Sequence, residues 1–214
     1  MQKITALKPQ KHNKERLNVY LDGEFAFGLA VEAAVGLRVG ETLSAERVAA
    51  LQDEDAFSRA KERAMRYLTY RPRSVAEVRR NLLRKDVDEE LVERVIAYLR
   101  EYNYLNDRDF AQYWVEQRET FKPRGRLALQ QELRQKGVAR AIIDEAVEEI
   151  DEADAARRAA EKRVRRWSHL PYDEFRTKLG RYLQRRGFRY GLIRTTVEEI
   201  WQQLASEETP EERR

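Results

Sequence analysis

From Arg16 to Leu29 apolar residues recur at every second position: Leu17, Val19 and Leu21, then, after Asp22-Gly23, Phe25, Phe27 and Leu29. Alternation of period two, interrupted by Asp-Gly, predicts a β-hairpin closed by a two-residue type I′ turn, because both central residues of that turn need positive φ. A lone hairpin is marginal in water, so its apolar face needs cover. The strand-like stretch Ile4 to Leu7 and a short helix from Ser44 to Leu51, after a turn at Gly40, are placed to supply it.

Beyond residue 55 the period changes from two to that of a helix, and the pattern repeats. Leu91, Val92, Val95, Ile96 and Leu99 return as Ile142, Ile143, Ala146, Val147 and Ile150, and again as Leu192, Ile193, Thr196, Val197 and Ile200. Each set is an i, i+1, i+4, i+5, i+8 stripe, one face of a helix. Val78 and Leu82 map by the same offsets onto Leu129 and Leu133, then onto Leu179 and Leu183. Between the two helices the turn repeats as Lys85-Asp86-Val87, Lys136-Gly137-Val138 and Arg186-Gly187-Phe188. A basic residue at the helix end, a left-handed residue and an apolar residue that folds back form a common C-terminal cap, with Asp86 standing in for glycine.

The middle helix starts at Arg71-Pro72-Arg73-Ser74 in the first copy and Lys122-Pro123-Arg124-Gly125 in the second, and Ser74 to Glu77 has the spacing of a capping box. In the third copy Asp173 is expected to cap a helix that starts slightly earlier. First helices match least well: Ala60 and Ala64 map onto Ala111 and Val115, but from Ala155 to Trp167 the apolar positions drift by about one residue. Asn103 is expected to end one helix in a left-handed conformation, and Asn106 or Asp107 to open the next.

The expected fold class is mainly α: three tandem three-helix repeats forming an elongated array, roughly 20 Å per copy for helices of about 14 residues, preceded by a small N-terminal β-hairpin subdomain. The segments are 1–54 (hairpin plus short helix), 55–105, 106–153 and 154–205 (the repeats), and 206–214 (a polar tail).

These residues resemble the RecX family of bacterial recombinase regulators. The resemblance is carried by Tyr102 to Ala111 (YNYLNDRDFA), by Pro123-Arg124-Gly125, by Leu133 to Val138 (LRQKGV) and by Tyr20 to Gly28 (YLDGEFAFG). Asn103 stands where the family more often has glycine, and the third repeat is the least regular. The resemblance implies a protein of DNA repair, homologous recombination and the SOS response that binds the RecA filament on single-stranded DNA. It implies a position along the filament groove and inhibition of ATPase and strand-exchange activities. It also implies action as a monomer, with double-stranded DNA as a further ligand.

Charge placement adds a candidate surface. From Arg157 to Arg194 thirteen basic residues face three acids, Glu161, Asp173 and Glu174, a net of +10 in a chain whose overall charge is +4. Solvated helices usually mix signs at i and i+4, and this stretch does not. Arg158, Lys162, Arg163, Arg165, Arg166, Arg181, Arg185, Arg186 and Arg189 are therefore candidate contacts to phosphate or to an acidic partner, with Trp167, Tyr172, Tyr182 and Tyr190 available to stack. Arg71, Arg73, Arg79 and Arg80, with Arg124 and Arg126, form a second candidate set. There a solvated face competes, since bases at one helix end and acids at the next helix start are what the helix dipole favours.

Catalysis has little to work with. There is no cysteine, only His12 and His169, no glycine-rich phosphate loop and no paired metal ligands on a helix, so neither enzyme, metal nor cofactor is expected. The start MQKITALKPQKHNKER lacks the apolar run of a secretory signal and no stretch suits a bilayer, which predicts a cytoplasmic protein. Two other readings remain open: a sequence-nonspecific DNA-binding helical protein acting without a recombinase, and a scaffold with no nucleic-acid role.

Overall fold

In the computed structural model, residues 1–11 and 13–207 are described; His12 and the 208–214 part of the expected polar tail lie outside them. Four strands, β1 (Gln2–Pro9), β2 (Arg16–Leu21), β3 (Glu24–Ala30) and β4 (Thr42–Leu43), form one antiparallel sheet in the order β3-β2-β1-β4. The hairpin turn has φ 50° at Asp22 and 95° at Gly23, both positive as the Asp-Gly signal requires.

Phe25 is the exception to the predicted alternation. Tyr20 pairs with Phe25 and Val19 with Phe27, so Ala26 is an extra residue, a β-bulge. An extra residue moves everything on one side of it to the opposite face. Phe27 and Leu29 stay in the core with Ile4, Val19 and Leu21, while Phe25 is 58% exposed and meets Tyr20 edge to face with centroids 6.0 Å apart.

Helix α1 (Ala45–Leu68) corrects a second expectation. The short helix does not end at Leu51, and the boundary drawn after residue 54 falls inside one helix of 24 residues. Physically nothing stops it, since no glycine or proline lies between Ser44 and Leu68. Its first half buries Leu51 over the sheet, and its second half buries Ala60 and Ala64 as the first helix of copy one. Asp55, only 3% exposed, accepts hydrogen bonds from Arg16 at 2.9 Å and is paired with Arg59 at 3.0 Å, which ties the helix to β2.

The remaining helices are α2 (Val75–Leu83) and α3 (Glu89–Glu101), α4 (Asp107–Phe121), α5 (Arg126–Gln135) and α6 (Arg140–Ala146), then α7 (Glu152–Val164), α8 (Tyr172–Arg185) and α9 (Tyr190–Glu207). They complete three three-helix copies. In every copy the second, fourth and fifth stripe positions are buried: Val92, Ile96 and Leu99; Ile143, Val147 and Ile150; Ile193, Val197 and Ile200. The first-helix drift is real: the offset carries Ala111 and Val115 to Glu161 and Arg165, both exposed, whereas burial falls one residue earlier, fully at Ala160 and partly at Val164. Helix α6 stops after seven residues, and Ile150 is buried from the turn beyond it. Glu145, Glu148 and Glu149 crowd that end with no basic residue in the last turn, where the helix dipole repels acids.

All three inter-helix turns have the predicted geometry. Asp86, Gly137 and Gly187 have φ of 58°, 80° and 84°, and the next amide donates back to the carbonyl of Leu82, Leu133 or Leu183 at 3.4, 3.1 and 3.3 Å. Asn103, at φ 56°, ends α3 in the same way. Asn106 rather than Asp107 caps α4, accepting from the amide of Arg108. The capping box is present, Ser74 Oγ accepting from the Glu77 amide at 3.2 Å and Glu77 Oε2 from the Ser74 amide at 3.3 Å. Asp173 is not a cap: α8 starts behind Pro171, which places Asp173 in the first turn, where its charge meets the helix dipole.

Asp86 is an exposed aspartate in a glycine conformation, which costs about 1 kcal/mol for a side chain free of contacts. Asp86→Gly is expected to raise stability by about 0.5 to 1 kcal/mol, seen as a higher urea midpoint at constant slope.

The chain divides into two compact units, residues 1–71 with 78–104, and residues 72–77 with 105–207. Among the described residues no helix is long and apolar enough to cross a membrane, and no cluster of three or more His, Asp or Glu side chains suits a metal ion.

Candidate functional site

Within the second unit the middle-helix starts of copies one and two are each built against the turn of the following copy. Ser74 Oγ donates to the Lys136 carbonyl at 2.6 Å, and the Gly125 amide donates to the Arg186 carbonyl at 2.9 Å. The contact is close enough to exclude side chains. A Cβ on Gly137 would strike the Ala76 methyl, one on Gly187 would meet Ala128, and one on Gly125 would overlap the Gly187 backbone.

A polar network surrounds the first of these junctions. Glu77, 8% exposed, receives Lys136 Nζ at 2.9 Å, and that ammonium lies 4.9 Å from the centre of the Trp114 ring. Trp114 Nε1 donates to Glu132 at 2.7 Å, and Glu132 also pairs with Arg118 at 2.8 Å and Arg124 at 2.9 Å. Low local dielectric strengthens such pairs and makes a missing partner costly. The charge pattern alone did not find Glu132, Arg118 or Lys136, although the basic residue recurring before each turn was its trace.

The second candidate set is thus largely engaged inside the molecule. Arg79 makes a bidentate pair with Glu93 at 2.6 and 2.7 Å, and its guanidinium holds that carboxyl below the usual range. Arg126 donates from its amide to Glu152 at 2.7 Å and from its guanidinium to the carbonyls of Glu148 and Ile150. Arg71 and Arg73 are half-buried and interact with neighbouring groups. Arg80 remains exposed.

The third copy divides differently. Arg158 donates to Asp154 at 2.5 Å and to the Glu119 carbonyl at 2.6 Å, and Lys162 Nζ donates to the Phe121 carbonyl at 3.0 Å, so both close the end of α4. Hydrogen bonds from Arg157 and Arg158 keep the Asp154 carboxyl below its ordinary range. Arg163 and Arg186 lie over the Tyr182 ring at 5.5 and 5.1 Å, and Arg186 also reaches the Pro123 carbonyl at 3.4 Å. Trp167 and Tyr182 pack on each other in the core, with centroids 6.1 Å apart. By contrast Arg165, Arg166, Arg181, Arg185, Arg189 and Arg194 are exposed and have no acidic partner among the described residues. Tyr190, 80% exposed, stands beside Arg189 at the start of α9. These are the groups free to meet a ligand.

Comparison with known proteins covers the same segments. Family profiles match in chain order: the regulatory protein RecX N-terminal domain over residues 2–44, and the first, second and third RecX three-helix domains over 60–99, 106–147 and 149–197. The chain is 33% identical over 206 residues to regulatory protein RecX of Clostridium botulinum (strain Alaska E43 / Type E3), covering 93% of this chain and 96% of that protein. Regulatory protein RecX of Bacillus subtilis (strain 168) is 32% identical over 202 residues, 92% of this chain and 76% of the relative. A crystal structure of regulatory protein RecX superposes with a TM-score of 0.72 at 28% identity, covering 92% of this chain and all of that one. The structure of RecX from Lactobacillus salivarius gives 0.61 at 27% identity over 69% and 97% of the two chains.

Proposed function

The chain belongs to the RecX family of regulatory proteins, and from that premise we propose that it regulates homologous recombination by binding the RecA filament on single-stranded DNA, along its groove, and inhibiting ATP hydrolysis and strand exchange. The family is one of regulatory proteins, not of enzymes. In this reading the protein acts as a cytoplasmic monomer without a cofactor.

The observation that carries the reading is that the family likeness runs through all four segments, the N-terminal sheet and each three-helix copy. The unpaired arginines of the third copy support it independently, since a filament on DNA offers both phosphate and carboxylate, and arginine pairs with either in bidentate fashion. They also favour a second reading, sequence-nonspecific DNA binding without a recombinase, in which affinity alone would fall steeply with salt.

Steady-state ATP hydrolysis by RecA on single-stranded DNA decides between them. Hydrolysis is expected to fall when this protein is added at substoichiometric ratios. An unchanged rate at saturation, with DNA binding intact, would establish the second reading.

A further inference from the structure

The three copies differ at one pair of facing positions. In copy one Arg79 of α2 crosses to Glu93 of α3, and in copy two Gln130 of α5 crosses to Asp144 of α6 at 3.2 Å. The same positions in copy three are Gly180 of α8 and Arg194 of α9. Here the crossing side chain is missing and the carboxylate has become a cation.

What remains is an open groove of about 760 Å³ between α8 and α9. Gly180 is not demanded by packing, because a Cβ there would sit 3.7 Å from Ile193 Cγ2, an ordinary contact. A glycine inside a helix costs about 1 kcal/mol relative to alanine, so the position gives up helix stability and retains space. Phe188, Ile193 and Val197 make the groove apolar beside it. Arg176, Arg181, Arg189 and Arg194 are its cations, against one acid, Glu198.

We propose that this groove binds an acidic segment of a partner protein, with an apolar side chain seated over Gly180 and flanking carboxylates on Arg194 and the arginines around it. The facing positions of the other two copies carry their own carboxylate, and the third must take one from outside. A nucleobase suits the groove less well, since its polar edge would lie against aliphatic carbon without partners, whereas an apolar side chain leaves nothing unpaired. The proposal rests on the regulator reading only in taking the partner to be a protein.

The test uses the full chain and a fluorescein-labelled acidic amphipathic peptide, with leucines one helical turn apart flanked by glutamates; oligothymidylate is the second probe. Gly180→Leu fills the groove with a good helix former, and Gly180→Ala reports on folding through a raised melting temperature. The peptide is expected to bind wild type and Gly180→Ala. Roughly tenfold weaker binding is expected for Gly180→Leu, for Arg194→Glu, and for peptides with Leu→Ser or Glu→Gln changes, as when an interface anchor is removed. Peptide binding indifferent to Gly180→Leu would overturn the proposal, as would oligothymidylate, rather than peptide, being the ligand that Gly180→Leu excludes. Such a failure, with RecA ATPase still inhibited by wild type, would leave the regulator reading standing. Peptide binding lost in Gly180→Leu, with no ATPase inhibition by wild type, would uphold the groove and remove that reading.

Discussion

Replacing Gly187 by alanine is expected to destabilise the second unit by roughly 2 to 5 kcal/mol, the sum of about 1 to 2 for a left-handed non-glycine residue and about 1 to 3 for overpacking. Both causes are present at that one position: φ is 84°, and the new Cβ would meet the backbone of Ala128 at the start of α5. Such a loss is a large part of the roughly 5 to 15 kcal/mol that keeps a domain folded. Two further variants separate the causes. Gly36→Ala suffers strain alone, since φ is 95° with nothing within 4 Å of the added carbon. Gly125→Ala suffers contact alone, since its φ of −72° is ordinary and the obstacle is the Gly187 backbone. Urea unfolding followed by tryptophan fluorescence reads the second unit directly, because Trp114, Trp167 and Trp201 all lie in it, and urea unfolding followed by far-ultraviolet circular dichroism reads Gly36→Ala in the first. If Gly187→Ala and Gly36→Ala cost the same, the packing of turn against helix described above is wrong.

Reversing Arg165, Arg166 and Arg185 together to glutamate is expected to weaken binding to single-stranded DNA or to the RecA filament on it, while helicity is retained and the melting temperature falls only slightly, from acids placed at the ends of α7 and α8. All three are exposed, unpaired among the described residues, and outside the α8–α9 groove. Arg186, which belongs to the same charge cluster, is unsuitable because it reaches the Pro123 carbonyl and covers Tyr182. Each phosphate contact on a single strand releases about 0.7 of a counterion, so three lost contacts should flatten the plot of log affinity against log salt by about 2. Unaltered affinity and slope across several salt concentrations would mean that these arginines form an idle solvated face.

The repeat was legible because burial imposes a helical period, and the same stripe is buried three times. The turns were legible for a similar reason, since a left-handed residue and a folded-back apolar neighbour leave a signature in residue types. Phe25 was misplaced because one bulged residue, Ala26, shifts a strand by a single position without any change in composition. The extent of α1 was missed because the absence of a breaker is a weak signal beside a change of period at residue 55. Of the candidate site, the charge surplus was visible, but its division was not. Arg158, Lys162, Arg124 and Arg126 find acceptors between 8 and 41 residues away, on neighbouring helices or at their ends, distances no local pattern encodes. The groove follows from a comparison of equivalent positions, since Arg79 and Gln130 span in copies one and two the space that Gly180 leaves open in copy three.

The hydrogen bond from Ser74 to Lys136 spans 62 residues, always toward the C-terminus. A ribosome adding roughly 5 to 20 residues per second releases Lys136 about 3 to 12 seconds after Ser74. During that interval the start of α2 has its own capping box, water and, once α4 begins, the Asp107 carboxylate that accepts from the Val75 amide at 2.9 Å, and the Gly125 amide waits in the same way for Arg186. The first and second copies are therefore each completed by the one synthesised after them, and a nascent chain halted between copies would present an unfinished helix start to the cell's proteases.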